Sequence, residues 1–152
     1  MKKLLTLSLV LIMALPLLTA CSGGGRNINA KEGEAADGYL WKNNYNEITI
    51  TGYEGASNNL KIPATINKKP VTKINSGAFS GFKGLESVEI PGTVKDISGA
   101  FSECTGLKKV TLNKGIENIS NAFYRCTSLE SITVPDSVTD LSSAFSGCTA
   151  LK

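Results

Sequence analysis

The sequence contains no histidine, and only 7% of its 152 residues are aromatic. Histidine is the most frequent general base and a common transition-metal ligand, so neither a catalytic site nor a metal site is predicted. The charge is nearly balanced, since loss of Lys2 and Lys3 with a cleaved leader leaves 14 basic and 13 acidic residues. Nucleic-acid binding usually needs a strongly basic face, so it is not predicted either.

Residues 1–20 have the three-part pattern of a secretory signal peptide. Two lysines precede an apolar run, Leu4 to Leu18, and small residues follow it. A membrane-spanning helix needs roughly 20 apolar residues, and Pro16 would interrupt a helix near the end of this run. Cleavage after export is therefore favoured over a retained transmembrane segment.

The end of the leader, Leu18-Thr19-Ala20-Cys21, resembles the lipobox of bacterial lipoproteins. In that family the cysteine sulfur receives a diacylglyceryl group, and cleavage makes this cysteine the first residue of the mature chain. The resemblance implies a covalent lipid on Cys21 and no other cofactor. It also implies an extracytoplasmic protein anchored in the cell membrane or outer membrane, at the cell surface. The alternative is a secreted protein without lipid, in which Cys21 is incidental.

Three further segments follow the leader. Residues 21–38 are interpreted as a flexible tether, because they hold five glycines and few apolar side chains and bury too little apolar surface to order themselves. Residues 39–77 are interpreted as an atypical N-terminal capping segment. Residues 78–152 are interpreted as repeats, with three full units and a partial fourth.

The dipeptide Ala-Phe recurs four times at a constant interval, with its phenylalanines at positions 79, 101, 123 and 145, and apolar residues coincide in columns around it. In each unit the pattern L-x-x-V-x-I places two apolar residues on one face of a strand, and Pro91 and Pro135 end the strand at a corner. The predicted fold is an α/β leucine-rich-repeat solenoid dominated by strands. Its 22-residue coils form a parallel β-sheet, with short helical or 3₁₀ turns at Ala-Phe.

The repeat, written L-x-x-I-x-I-P-x-x-V-x-x-I-x-x-A-F-x-x-C-x-x-L, resembles the BspA-like branch of leucine-rich repeats over roughly residues 47–152. Members of that branch are found on bacterial and some protist surface proteins. The resemblance implies adhesion or recognition of an extracellular or cell-envelope protein, without catalysis. A structural or assembly role in the envelope is the alternative, and an enzyme would require a domain beyond residue 152.

The outward positions of the predicted strands are the candidate partner-binding site. They form a ladder of small polar and charged side chains: Ser87, Glu89, Lys109, Thr111, Ser131 and Thr133. Curved repeat stacks bind large ligands through such faces. The alternative is that these residues provide solubility alone.

Three cysteines, Cys104, Cys126 and Cys148, recur at the same interval as Ala-Phe. Phe82 occupies the same column in the first unit, so apolar packing is favoured over a metal ladder or a disulfide between neighbouring coils. The predicted structural core of the repeats therefore combines these cysteines with the aromatic column Phe79, Phe101, Phe123 and Phe145.

Both ends of the repeat array leave alternatives open. Tyr39, Trp41, Tyr45 and Tyr53 form either a hydrophobic cap on the stack or an aromatic ligand site. The chain stops at Lys152, just before the strand that would complete the fourth unit. An uncapped C-terminal edge would support self-association, and a fragment of a longer repeat protein would show the same ending.

Overall fold

The computed structural model describes residues 32–34 and 37–152. The predicted leader, the lipobox Leu18-Thr19-Ala20-Cys21 and most of the predicted tether lie outside the described residues. The described chain forms eight strands: β1 (Glu32–Glu34), β2 (Tyr39–Asn44), β3 (Glu47–Tyr53), β4 (Asn59–Lys61), β5 (Thr65–Ile66), β6 (Lys69–Ile74), β7 (Ser87–Ile90) and β8 (Lys109–Leu112). No helix in this part of the chain could cross a bilayer.

The N-terminal sheet has the strand order β1-β2-β3-β6-β5. Strands β2 and β3 form an antiparallel hairpin, whereas β3 and β6 run parallel. In β3, Ile48 and Ile50 are both fully buried, as expected for apolar residues two apart on a strand. Strand β1 lies within residues 21–38, which were predicted as a tether, and it forms because the outer edge of β2 offers its backbone a pairing partner.

The repeat region is organised around a parallel sheet with the order β4-β7-β8. Equivalent residues of successive units lie side by side, as in the pairs Ser87 with Lys109 and Val88 with Val110. Isolated bridges extend the same pairing, from Lys109 to Ser131 and along the column Asp96, Asn118 and Asp140. The predicted parallel pairing therefore occurs in these residues.

The core is built from columns of equivalent apolar residues. The phenyl rings of Phe79, Phe101, Phe123 and Phe145 stack with centroid separations of 4.8, 5.8 and 6.0 Å and interplanar angles of 13° or less. Burial decreases in the last unit, because Leu141 is 54% exposed whereas Ile97 and Ile119 are fully buried. The C-terminal edge therefore carries partly exposed apolar side chains.

The segments around Ala-Phe form turns, and the predicted helical or 3₁₀ character is not confirmed. None of the described residues lies in an α-helix or a 3₁₀ helix, and these segments are chains of tight turns. Each Ala-Phe is flanked, four residues apart, by two residues with φ between 53° and 80°: Gly77 and Gly81, Gly99 and Glu103, Asn121 and Arg125, and Ser143 and Gly147. Left-handed backbone at this spacing interrupts a right-handed helix before one full turn is complete.

Candidate functional site

The predicted ladder lies on the outer face of the parallel sheet. Strand β7 alternates between half-buried and buried residues, and β8 alternates between exposed and buried ones. As a result Glu89 and Thr111 face outward as register partners, while Val88 and Val110 between them point into the core. Ser131 pairs with Lys109, and both Ser131 and Thr133 are exposed. All six predicted positions are thus accessible to some degree on neighbouring segments.

The ladder extends one strand further than the sequence indicated. Asn59 and Lys61 of β4 are the register partners of Ser87 and Glu89. Ser87 Oγ lies 2.6 Å from Asn59 Oδ1, and Lys61 Nζ lies 3.3 Å from a Glu89 carboxylate oxygen. Asn59 and Ser87 are 28 residues apart in the chain, so a search at the regular repeat interval misses this pair. The matching strings N-L-K-I-P and S-V-E-I-P were the available signal.

A shallow groove of about 310 Å³ opens along the ladder, between β8 and residues 131–133. Among the described residues, β8 and residues 131–133 are joined by one backbone pair, Lys109 with Ser131, whereas β7 and β8 are joined by four. The groove therefore lies where the pairing between neighbouring segments is sparse. The groove is lined by the polar residues Lys109, Thr111, Ser131 and Thr133 and by the apolar residues Val110, Leu112 and Ile132. A lining that mixes apolar residues, short hydroxyl groups and one lysine suits an extended protein segment better than a small charged metabolite.

The three repeat cysteines form a hydrogen-bonded column inside the stack. Each thiol donates to a backbone carbonyl 25 residues earlier in the chain, at 3.1–3.2 Å, and the acceptors are Phe79, Phe101 and Phe123. All three cysteines are free of disulfides. Cys104 and Cys126 are fully buried and Cys148 is half-buried. Within residues 32–34 and 37–152, no group of three or more His, Cys, Asp or Glu side chains is arranged to hold a metal ion.

Burial controls the acidity of these thiols. It raises the pKa of Cys104 from 9.0 to about 11 and, helped by the neighbouring cysteines, that of Cys126 to about 12. An unfolded chain would ionise its thiols near pH 9, so the folded state binds more protons between pH 9 and about 11. The free energy of unfolding is therefore expected to fall as the pH rises through this range. Urea unfolding at pH 8 and pH 10.5 should show a smaller fall for Cys126→Ala than for the native sequence, and equal falls would contradict this origin.

A second polar column lies on the turn side of the stack. Asp96, Asn118 and Asp140 each accept, at 2.9–3.0 Å, the backbone N–H of the serine two residues later. Burial raises the pKa of Asp96, but hydrogen bonds from Lys73 and Ser98 and the charge of Lys73 outweigh it and leave the pKa below its usual value. The side chains of Asp96, Asn118 and Asp140 therefore stabilise local turns, and Asp96 also forms an ion pair with Lys73 at 2.6 Å. They do not form a paired-carboxylate site.

The four aromatic residues of the N-terminal segment divide into two groups. Tyr39 and Trp41 are buried, and Tyr53 lies between Tyr39 and Phe79 in tilted ring contacts at centroid distances of 5.1 and 6.2 Å. Tyr39 and Tyr53 therefore extend the aromatic column of the repeats, and Trp41 is buried in the same core, as a hydrophobic cap would be. Tyr45 is 95% exposed and takes no part in this packing.

A cavity of about 600 Å³ borders this cap. Its walls include Tyr39, Tyr53 and Glu54, while the Tyr39 hydroxyl donates to the Lys61 carbonyl at 3.0 Å. Burial and the nearby Tyr53 and Asp37 raise the pKa of Tyr39 to about 12, which keeps the phenol protonated as a donor. The phenol therefore ties β2 to β4.

Comparison with known proteins places these features in a family context. The family model described as "BspA type Leucine rich repeat region" matches residues 43–152 in six copies. Comparison with curated protein sequences gives no significant match.

Several solved structures resemble the chain. A leucine-rich repeat protein from Bacteroides capillosus is 28% identical, with a TM-score of 0.67, and the match covers 72% of this chain and 86% of that one. The T. pallidum leucine-rich repeat protein TpLRR is 26% identical, with a TM-score of 0.63 and coverage of 85% and 69%. A leucine rich cell surface protein from Faecalibacterium prausnitzii is 28% identical, with a TM-score of 0.57 and coverage of 78% and 38%. None of these descriptions names an enzymatic activity.

Proposed function

Because the chain belongs to the BspA-type leucine-rich-repeat family, we propose that it is a membrane-anchored recognition protein displayed at the cell surface. In this proposal the 22-residue coils form a solenoid that binds an extracellular or cell-envelope protein without catalysis. The contact surface is the ladder Ser87, Glu89, Lys109, Thr111, Ser131 and Thr133, extended by Asn59 and Lys61.

The observation that carries this proposal is the register of the ladder. Polar side chains from β4, β7, β8 and residue 131 lie side by side on one face, and the apolar residues between them are buried. A backbone row of this kind presents several groups to one partner in fixed register, which lowers the ordering cost of binding. The groove beside Thr111 adds a concave element whose lining includes apolar residues.

Display at the surface is supported by two further observations. Residues Leu18-Thr19-Ala20-Cys21 resemble a lipobox, and the two acyl chains that such a cysteine would carry suffice for stable membrane anchoring. The similar protein from Faecalibacterium prausnitzii is described as a cell surface protein. The lipid on Cys21 and the extracytoplasmic location are part of the proposal.

The binding surface is tested by placing a large charged side chain in the middle of the ladder. Thr111→Arg is expected to weaken binding to immobilised extracellular-matrix proteins by roughly tenfold or more, because it fills the groove and disrupts a central contact. Thr139→Arg is the matched control, since Thr139 is a threonine of the repeats that lies outside the ladder. Equal affinities of the two variants would refute the ladder as the contact surface.

The choice of partner separates adhesion from envelope assembly. Binding of the native sequence to matrix proteins, with the Thr111→Arg effect, supports adhesion. If only cell-envelope extract is bound with the same dependence on Thr111, the protein is an assembly component instead. Surface plasmon resonance with both sets of ligands provides this comparison.

A further inference from the structure

Two β-turns lie side by side at one end of the N-terminal sheet. Residues 45–46 close the β2–β3 hairpin, and residues 67–68 close the β5–β6 hairpin. Each turn immediately precedes one of the parallel strands β3 and β6, so both turns lie at the same end of the sheet. Lys69 joins them, because its Nζ donates to the Tyr45 carbonyl at 2.6 Å and to Asn43 Oδ1 at 2.9 Å. We call residues 43–47 and 67–69 the tip edge.

Tyr45 is unusual in both its exposure and its backbone. Its side chain is 95% exposed, and its φ of 57° lies in the left-handed region, where a bulky residue is rare. The folded core gains no contact from this ring. The two-residue hairpin turn accounts for this φ, so the exposure of the aromatic ring is the feature that the fold leaves unexplained. A phenol ring is amphipathic and suits the boundary between lipid headgroups and water.

The tip edge also carries positive charge. Lys68 is exposed and makes no ion pair with the described residues, and Lys69 holds the two turns together through its Nζ. Glu47, the acidic residue of the tip edge, accepts a hydrogen bond from Thr72 at 3.0 Å. The tip edge thus has two basic residues and one acidic residue, and this excess of positive charge suits an anionic surface.

The chain from the anchor enters the domain at this same edge. Strand β2 runs toward the tip, and β1 is antiparallel to it with Glu32 opposite Lys42, so β1 begins beside the tip edge. Only ten residues separate Cys21 from Glu32. They could span roughly 35–40 Å when extended and about 18 Å on average as a Gly-rich coil. At its average length, a linker that enters here would hold this edge closer to the bilayer than the opposite one, which lies a strand's length further along the sheet.

We propose that the tip edge rests on the membrane, with the Tyr45 ring at headgroup level and Lys68 and Lys69 against the phosphates of anionic phospholipids. This orientation rests on the proposed lipid anchor at Cys21. It directs β3 away from the bilayer, so that Glu54, just beyond its far end, lies roughly 25 Å further out. The lipid then both tethers the domain and fixes which side faces the membrane.

The test is depth-dependent quenching in vesicles. The mature acylated chain, carrying either Tyr45→Trp or Glu54→Trp, is reconstituted into vesicles of phosphatidylglycerol and phosphatidylcholine that include headgroup-proximal brominated lipid. Both variants share the Trp41 background. The indole introduced at position 45 is expected to be quenched at least roughly twofold more than that at position 54, because interfacial aromatic residues lie at headgroup level. Equal quenching, or stronger quenching at position 54, overturns the proposal.

The contribution of Lys68 to membrane contact is tested in the Tyr45→Trp chain. Lys68→Glu is expected to reduce quenching in phosphatidylglycerol vesicles, whereas Lys108→Glu, an exposed lysine in the repeats, should leave it unchanged. Equal effects of the two lysine variants overturn the role of Lys68. The mass of the mature N-terminal peptide separates the two proposals. An acylated chain without quenching at position 45 refutes only the orientation, whereas a chain without lipid on Cys21 refutes the anchor and the orientation together.

Discussion

Replacing Phe101 by alanine is expected to lower the free energy of unfolding by about 3–5 kcal/mol. Phe101 is fully buried, and its ring stacks on Phe79 at 4.8 Å and on Phe123 at 5.8 Å. Removing it leaves a cavity between the rings of Phe79 and Phe123. The backbone segments that carry these rings are fixed at their spacing by the hydrogen bonds from Phe79 N to Ala100 O and from Phe101 N to Ala122 O. Because neighbouring segments are fixed at this spacing, the cavity cannot close easily. Urea unfolding of the non-lipidated Cys21→Ser chain measures the loss.

Phe145→Ala is the matched control for this prediction. Phe145 belongs to the same column, but it is half-buried and stacks on Phe123 alone among the described residues. Its removal opens space that solvent already borders, so the loss should be clearly smaller than for Phe101. Equal losses at the two positions would show that stacking within the column does not determine stability.

Gly115→Ala is expected to cost about 3 kcal/mol of unfolding free energy, for two reasons that add. The φ of Gly115 is 123°, a region that is essentially restricted to glycine. A β-carbon at this position would also collide with the backbone of Gly92 in the neighbouring unit, which has no flexible side chain that could move aside. The corner where each strand ends would have to separate from the next one. Thermal unfolding of the same non-lipidated chain measures the effect.

Gly77→Ala separates the two causes. Gly77 has a φ of 77°, but a β-carbon there would meet nothing within 4 Å. This substitution should therefore cost only about 1–2 kcal/mol, from the left-handed backbone alone. If it destabilises the chain as much as Gly115→Ala, the contact between the corners at Gly92 and Gly115 is not important.

The sequence predicts the repeat region well, because a strictly constant repeat interval records which residues share a column. Phe101, Cys126 and Leu107 are fully buried, and the ladder positions face outward, as the alternation in L-x-x-V-x-I indicates. The prediction of helical or 3₁₀ turns at Ala-Phe is not confirmed, since the described residues there form turns and no helix. The left-handed residues there include Glu103 and Arg125, and neither side chain signals such a conformation.

The N-terminal region was harder to predict for a different reason. Strand β4 joins the repeat sheet out of step with the regular interval, because the β5–β6 hairpin is inserted into its unit. Pairing of β1 with β2 depends on a free strand edge, which local composition does not report. The lipobox, by contrast, is a prediction from sequence alone, because Leu18-Thr19-Ala20-Cys21 lies outside the described residues. The lipid on Cys21 stays part of the proposal.

The contacts described here connect neighbouring repeat units only, and this has an evolutionary consequence. Main-chain bridges join equivalent positions of neighbouring units, the cysteine hydrogen bonds reach the adjacent unit, and Lys95 pairs with Glu117. Each of these contacts connects one unit to the next and none of them skips a unit. An in-frame duplication or loss of one repeat in the gene would therefore recreate the same contacts at the new junction. The length of the array can change in a single genetic event, while the side chains of the ladder diverge independently.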